Sequence, residues 1–218
     1  MHPSTLISVN NLGYLYKSQG KLTEAQALYE RALKGREETL GPIHPGTLSS
    51  VNNLGLLYES QGKLMEAQAL LERALKGREE TLGPMHPDTL RSVNNLAVLY
   101  KNQGKLTEAQ PLYERALKGN EETLGPMHPD TLMSVSNLGA LYQSQGKLTE
   151  AQALLERALK GREETLGPMH PHTLISVNNV GMLYKSQGKL TEAQPLFCLL
   201  YTSPSPRDQR GSRMPSSA

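Results

Sequence analysis

Five histidines, His2, His44, His86, His128 and His170, each followed by proline, stand 42 residues apart. Neutral imidazole is a common metal ligand, so such a row, with His172 close behind, raises zinc chemistry first. The spacing speaks against it. Copies one repeat apart should lie about 10 Å from each other, the separation of packed helix layers, whereas zinc draws its ligands to about 2 Å. Each histidine is instead expected to satisfy groups at a helix end, and His172 reads as drift of one repeat. Gly13 through Gly20-Lys21 has the flavour of a phosphate loop, but the spacing is wrong and Leu22 stands where Ser or Thr is required. The Glu37-Glu38 pairs fall on a charged helix face rather than across a cleft, and no nucleophile elbow is present. The chain therefore reads as a non-enzyme with no metal, cofactor or small-molecule substrate.

The elements that carry these residues follow from the same period. Residues 44–85 and 128–169 differ only at Gly46/Asp130, Ser49/Met133, Asn52/Ser136, Leu56/Ala140, Glu59/Gln143 and Met65/Thr149. Self-similarity at this period marks a stacked array whose units cannot bury their apolar faces alone. Within the first unit, Pro3 suits a first helical position, and Leu6, Val9, Leu12, Leu15 and Tyr16 recur at three- and four-residue steps. Gly20-Lys21 breaks the run. Leu22, Ala25, Leu28, Tyr29, Ala32, Leu33 and Leu40 form a second stripe, opposite Glu24, Glu30, Arg31, Lys34, Arg36, Glu37 and Glu38, which read as a solvated face. Gly41-Pro42 stops it. The pattern predicts helix A near 3–18 and helix B near 22–40. Gly35, repeated as Gly77, Gly119 and Gly161, sits inside helix B at a helix-propensity cost of about 1 kcal/mol, which reads as close packing against helix A of the next repeat or as simple tolerance.

Leu12-Gly13, Tyr16, Gly20, Leu22, Ala25, Tyr29 and Ala32 match the spacing of the tetratricopeptide repeat, with Gly13 and Ala25 placed where the two helices cross. The longer unit resembles the repeats of kinesin light chain and of nephrocystin-3-type proteins, over residues 1–197. The resemblance implies an all-α, right-handed α-solenoid of antiparallel helix pairs. It comprises four full 42-residue TPR units, starting near 2, 44, 86 and 128, and a truncated fifth near 170. These 218 residues contain neither the coiled coil that joins kinesin light chain to its heavy chain nor a nucleotide-binding domain, so motor attachment is not carried over.

The pattern stops at Phe197. Residues 198–218, CLLYTSPSPRDQRGSRMPSSA, begin with Cys198 where the repeat has Glu30, Glu72, Glu114 and Glu156. This stretch is similar to the translation of a sequencing-library adaptor, with Cys198–Asp208 and Ser212–Ala218 matching its two parts in one frame. It is expected to be a non-native, mostly disordered tail, in which Leu199–Tyr201 let the last helix run a turn further. Met1 aligns with Met85, Met127 and Met169, so further repeats are expected upstream and downstream.

The tail also carries the charge excess. The chain has 23 Lys+Arg and 21 Asp+Glu; without Arg207, Arg210, Arg213 and Asp208 the two balance. The attraction to nucleic acid or to an acidic membrane then vanishes. Cys198 is the only cysteine, so no intrachain disulfide forms. No apolar run reaches the roughly 20 residues of a membrane span. A cytoplasmic or nuclear setting is the default.

The resemblance implies a scaffold that binds a peptide or protein segment in the concave groove lined by helix A. The positions matching the family's peptide-contacting face are Asn10, Asn11, Asn52, Asn53, Asn94, Asn95, Asn137, Asn178 and Asn179. Carboxamides both donate and accept, so they could hold an extended backbone; equally, they could bond the neighbouring helix across a repeat interface. Ser136 replaces the first Asn in one repeat, which suggests a less demanding place. Positions that vary on the same face would tune specificity: Ile7, Ser49, Arg91, Met133 and Ile175; Tyr14, Leu56, Val98, Ala140 and Met182; Lys17, Glu59, Lys101, Gln143 and Lys185. Arg91 and Lys101 suit an acidic segment and the apolar positions an aromatic anchor, in line with the acidic, aromatic-bearing motifs the resemblance implies. Two other readings remain at this point: a sensor arm of a larger multidomain enzyme or NTPase, and a structural spacer without a groove ligand.

Overall fold

The structure is a computed structural model that describes residues 2–202. Among them are ten helices and no strand: α1 Pro3–Ser18, α2 Leu22–Leu40, α3 Pro45–Ser60, α4 Leu64–Leu82, α5 Pro87–Asn102, α6 Leu106–Leu124, α7 Pro129–Ser144, α8 Leu148–Leu166, α9 Pro171–Ser186 and α10 Leu190–Thr202. This is an all-α repeat solenoid, and the bounds of α1 and α2 are those expected from the sequence. α10 continues through Cys198–Thr202, beyond the last repeat residue Phe197. The rest of the adaptor-like segment, 203–218, lies outside the described residues. The chain divides into two compact units, one through Pro126 with α1–α6 and one from Met127 with α7–α10.

Two glycine-based connections alternate. After each helix A, Gly20 and its counterparts adopt a positive φ, with the Lys21 N–H donating to the Tyr16 carbonyl and the Gly20 N–H to the Lys17 carbonyl. That is a Schellman closure, and it reverses the chain within three residues. After each helix B, Gly41 sits at φ 89°, ψ 164° and hands over to the His-Pro start of the next helix A. There His44 Nδ1 accepts from the Gly46 N–H at 3.1 Å and His86 Nδ1 from the Asp88 N–H at 3.1 Å. The histidines are N-caps, each presenting an imidazole lone pair to a helix-end amide. Thr47 Oγ1 adds a bond to the Gly41 carbonyl at 2.8 Å. Replacing His86 by Ala removes the acceptor and is expected to cost about 0.5–2 kcal/mol. His86→Asn, which keeps an acceptor, should retain most of it, as read from urea midpoints.

Within a pair, the helices are antiparallel. A Cβ on Gly13 would meet the Tyr29 ring at 2.9 Å, and one on Gly35 would meet Leu6 Cδ2 at 2.5 Å, so contacts run in opposite senses along the two helices. Gly13 makes room for the Tyr29 ring and for Leu28 beside it. One expectation is corrected here. Gly35, Gly77, Gly119 and Gly161 make room for Leu6, Leu48, Leu90 and Leu132 of their own repeat's helix A, not the next one's. The core then runs between repeats. Ala25, Tyr29 and Leu33 of α2 pack with Val51, Leu54 and Leu57 of α3 and Ala74 of α4. Ala67, Leu71 and Leu75 of α4 do the same with Val93, Leu96 and Leu99 of α5 and Ala116 of α6. In the second unit Ala151 and Leu155 pack with Val180 and Leu183. Within each unit, a repeat thus completes the apolar interior of its predecessor.

Candidate functional site: the helix-A face

Helices α1, α3 and α5 lie side by side in the first unit and α7 and α9 in the second, which leaves one face of each helix A turned away from its helix B. Ile7, Tyr14, Arg91, Ile175 and Met182 are exposed there, and Ser49, Leu56, Val98, Met133 and Ala140 are half-buried. The positions that vary between repeats therefore share this open surface.

The asparagines form a ladder between adjacent helices A. Asn53 Nδ2 donates to Asn10 Oδ1 at 3.2 Å and Asn95 Nδ2 to Asn52 Oδ1 at 3.0 Å. In the second unit Asn179 Nδ2 donates to Ser136 Oγ at 3.3 Å. In these three rungs the second Asn of a repeat bonds the first polar residue of the repeat before it. Asn52 and Asn94 are only 7% and 4% exposed, so the first position is more enclosed than the Ser136 substitution suggested. Serine fits because the position requires an acceptor, and a hydroxyl is one. Asn53, Asn95, Asn137 and Asn179 are half-buried, as is Asn10, while Asn11 and Asn178, at the two ends of the ladder, are exposed.

The charged candidates have distinct surroundings. Lys17 Nζ donates to the Leu56 carbonyl at 3.0 Å; burial lowers its pKa and the nearby Glu59 partly offsets this. Glu59 accepts from Asn102 Nδ2 at 2.7 Å. Arg91 pairs with Asp88 one turn earlier. Lys101 is half-buried, with its pKa lowered by burial and no partner for its ammonium among the described residues.

The residue that sequence reasoning misplaces is the arginine near the end of helix B. Arg36 is expected on the solvated face; it is buried, and so are Arg78 and Arg162. Its position three residues after Leu33 and four after Ala32 puts it at the edge of the apolar stripe, which is the signal that was available. Arg36 Nη1 donates to the Gly46 carbonyl at 2.7 Å and Ser50 Oγ at 2.8 Å. Arg78 Nη1 does so to the Asp88 carbonyl and Ser92 Oγ, with Nη2 reaching Ser49 Oγ at 3.3 Å. Arg162 Nη1 reaches the His172 carbonyl at 3.2 Å and Ser176 Oγ at 2.7 Å. None of the three forms an ion pair with a carboxylate among the described residues. Desolvation lowers all three, Arg78 to about 10 with a further push from Arg91. Each guanidinium stays charged at neutral pH. The third repeat has Asn120 at this position, also buried.

In the second unit Arg162 lines a cavity of about 310 Å³ between α7, α9 and the end of α8. Met133, Ile175 and Leu166 supply apolar walls, Asn137 and Asn179 supply carboxamides, and Asp130 and His172 also line it.

Comparison with known proteins agrees with this architecture. The tetratricopeptide repeat family model matches residues 4–80, 50–122, 88–164 and 130–201. Among solved structures, the nearly identical TPR-like repeats of a Podosopora anserina protein of the kinesin light chain type are 32% identical. That match has a TM-score of 0.75 and covers 98% of this chain and 99% of the other. BtubC (BKLC) from P. vanneervenii is 26% identical, with a TM-score of 0.78 over 99% of this chain and 85% of its own. The apo form of RapI, 17% identical with a TM-score of 0.71 over 88% of this chain and 68% of its own, shares the fold. No curated protein sequence gives a significant match. With near-complete coverage by the family model and by the Podosopora repeats, the chain belongs to the tetratricopeptide repeat family, in its kinesin light chain-like form.

Proposed function

We propose that this protein is an interaction scaffold whose helix-A face grips a peptide or protein segment, and that buried arginines of helix B take an acidic side chain of that segment. The TPR fold is that of a protein–protein interaction scaffold. The observation that carries the finer reading is the cavity around Arg162. A guanidinium removed from water without a carboxylate partner is poorly compensated, and an arriving carboxylate would gain charge-assisted hydrogen bonds there. Met133, Ile175 and Leu166 offer the same segment an apolar seat, and Asn137 and Asn179 can hold its backbone. Arg78, beside Ser49 and Arg91, offers a second cationic position in the first unit.

The third repeat supplies the test. Arg78→Asn and Arg162→Asn install the residue that Asn120 already provides, so the fold should persist by circular dichroism. The probe is a fluorescein-labelled peptide containing Trp flanked by Asp and Glu, read by anisotropy against its Asn/Gln counterpart. The acidic peptide should bind and weaken with added salt. The double variant should lose about tenfold or more in affinity, the worth of one or two charged hydrogen bonds. Equal binding of the neutral peptide, or an undiminished double variant, would remove the proposal.

A further inference from the structure

One position of helix A gives each buried arginine a different neighbour. Arg36 donates to the carbonyl of Gly46, Arg78 to that of Asp88 and Arg162 to that of His172. The three acceptors occupy the same place in their repeats. Gly46 brings no charge. Asp88 brings a carboxylate, but Arg91 pairs with it. Histidine alone of these residue types changes its charge between about pH 5 and 8. The His172 ring makes no hydrogen bond among the described residues. Its bonds belong to the backbone, the N–H donating to His170 Nδ1 at 3.2 Å and the carbonyl accepting from Arg162.

The cavity around Arg162 is lined entirely by residues between 129 and 179, inside the repeats. Three charged or titratable side chains stand in its wall: Arg162 from the end of α8, Asp130 from the start of α7 and His172 from the start of α9. With a neutral imidazole, one positive charge faces one negative and the cavity carries no net charge. With an imidazolium it is cationic. No other group in its surroundings duplicates this role. The His170 ring lies beside that of His172, with centroids 5.3 Å apart, but its Nδ1 is held as the acceptor of the helix cap. Glu163 and Glu164 of α8 are exposed and outside the wall. In α10, Glu192 acts on Tyr184 at the far end of α9, and no α10 residue lines the cavity. Taking Arg162 as the seat of an acidic side chain, the reading on which this rests, we propose that His172 gates that seat by proton uptake: the cavity holds the acidic segment tightly when the imidazole is protonated and weakly when it is neutral. The ligand's carboxylate favours the imidazolium by the same factor as the imidazolium favours the ligand, so binding draws a proton from solution. Affinity therefore rises as the pH falls from about 8 to about 5.5, above the range near pH 4 where the segment's own carboxylates lose their charge.

Isothermal titration calorimetry of the full chain with the unlabelled Trp/Asp/Glu peptide tests this, in an Arg78→Asn background so that the second unit reports. Affinity should be about fivefold to tenfold higher at about pH 5.5 than at about pH 8, the worth of one partly screened unit charge. Heats measured in buffers of different ionisation enthalpy should show proton uptake between those values. His172→Ser installs the residue that the first repeat has as Ser4; it should give one affinity at both pH values and no uptake. His172→Lys should also be flat, but at the affinity the parent reaches only in acid, a rescue by charge that a merely structural histidine would not permit. A pH slope that survives His172→Ser overturns the inference, as does a parent of equal affinity at both pH values. If Arg162→Asn binds as tightly as the parent at about pH 5.5, Arg162 is not the seat, and that reading falls first and takes the gate with it.

Discussion

Leu90→Ala is expected to destabilise the first unit by about 2–5 kcal/mol, the range for deleting a buried leucine whose surroundings cannot close on the space left. Leu90 is fully buried, and its methyl groups lie directly over Gly119, where a Cβ would come within 2.5 Å of Cδ2 and 2.8 Å of Cδ1. The same contact makes Gly119→Ala informative. Alanine gains about 1 kcal/mol of helix propensity at an interior position, but overpacking costs about 1–3 kcal/mol, so the single substitution should be destabilising. In the Leu90→Ala background the space is vacant, and Gly119→Ala should become stabilising. Urea midpoints of the four proteins close the cycle. Equal effects of Gly119→Ala in both backgrounds would show that the glycine is tolerated there and not required by the leucine.

Gly83→Ala is expected to cost about 1–3 kcal/mol for a different reason. Gly83 has φ 88°, ψ 162°, a region that is essentially glycine-only. Nothing lies within 4 Å of the position its Cβ would take, so space is not the obstacle and the whole penalty lies in the backbone. The residue links helix B of the second repeat to the His86 cap of the third, so strain there is delivered to the joint between α4 and α5. D-alanine introduced by semisynthesis mirrors the allowed region and should restore stability. If D-Ala and L-Ala are equally destabilising, the loop conformation is not what glycine is there to provide.

Much of this fold can be read from the chain because its signals are local. Proline at the helix start, glycine at both kinds of turn and the spacing of Leu, Ala and Tyr place α1 and α2 to the residue. What escapes is the identity of partners, and the reason is the repetition itself. In a chain that recurs every 42 residues, a contact within a repeat and a contact to the next leave the same trace in sequence. Gly35 is therefore matched to the wrong helix A, and the asparagine pairs stay between two roles. Arg36 escapes for another reason: it lies in a run of charges, and only the hydroxyl of Ser50 and the Gly46 carbonyl, 14 and 10 residues away, account for its burial. Those acceptors belong to the following repeat and carry no charge, so no opposite-sign spacing announces them. The open face is legible in outline, since the varying positions share one side of helix A, but the cavity at Arg162 depends on that burial and cannot be foreseen without it.

The carboxamide ladder has one further consequence. Each of its rungs joins a donor in one repeat to an acceptor in the repeat before it, and the acceptor is satisfied by either Asn or Ser. Excising or copying one whole repeat by unequal crossing-over leaves every remaining rung with a mate of the right polarity. Copy number can therefore drift in the gene without any single event having to be rescued by a second, while a slip of even one residue would leave an amide with no mate.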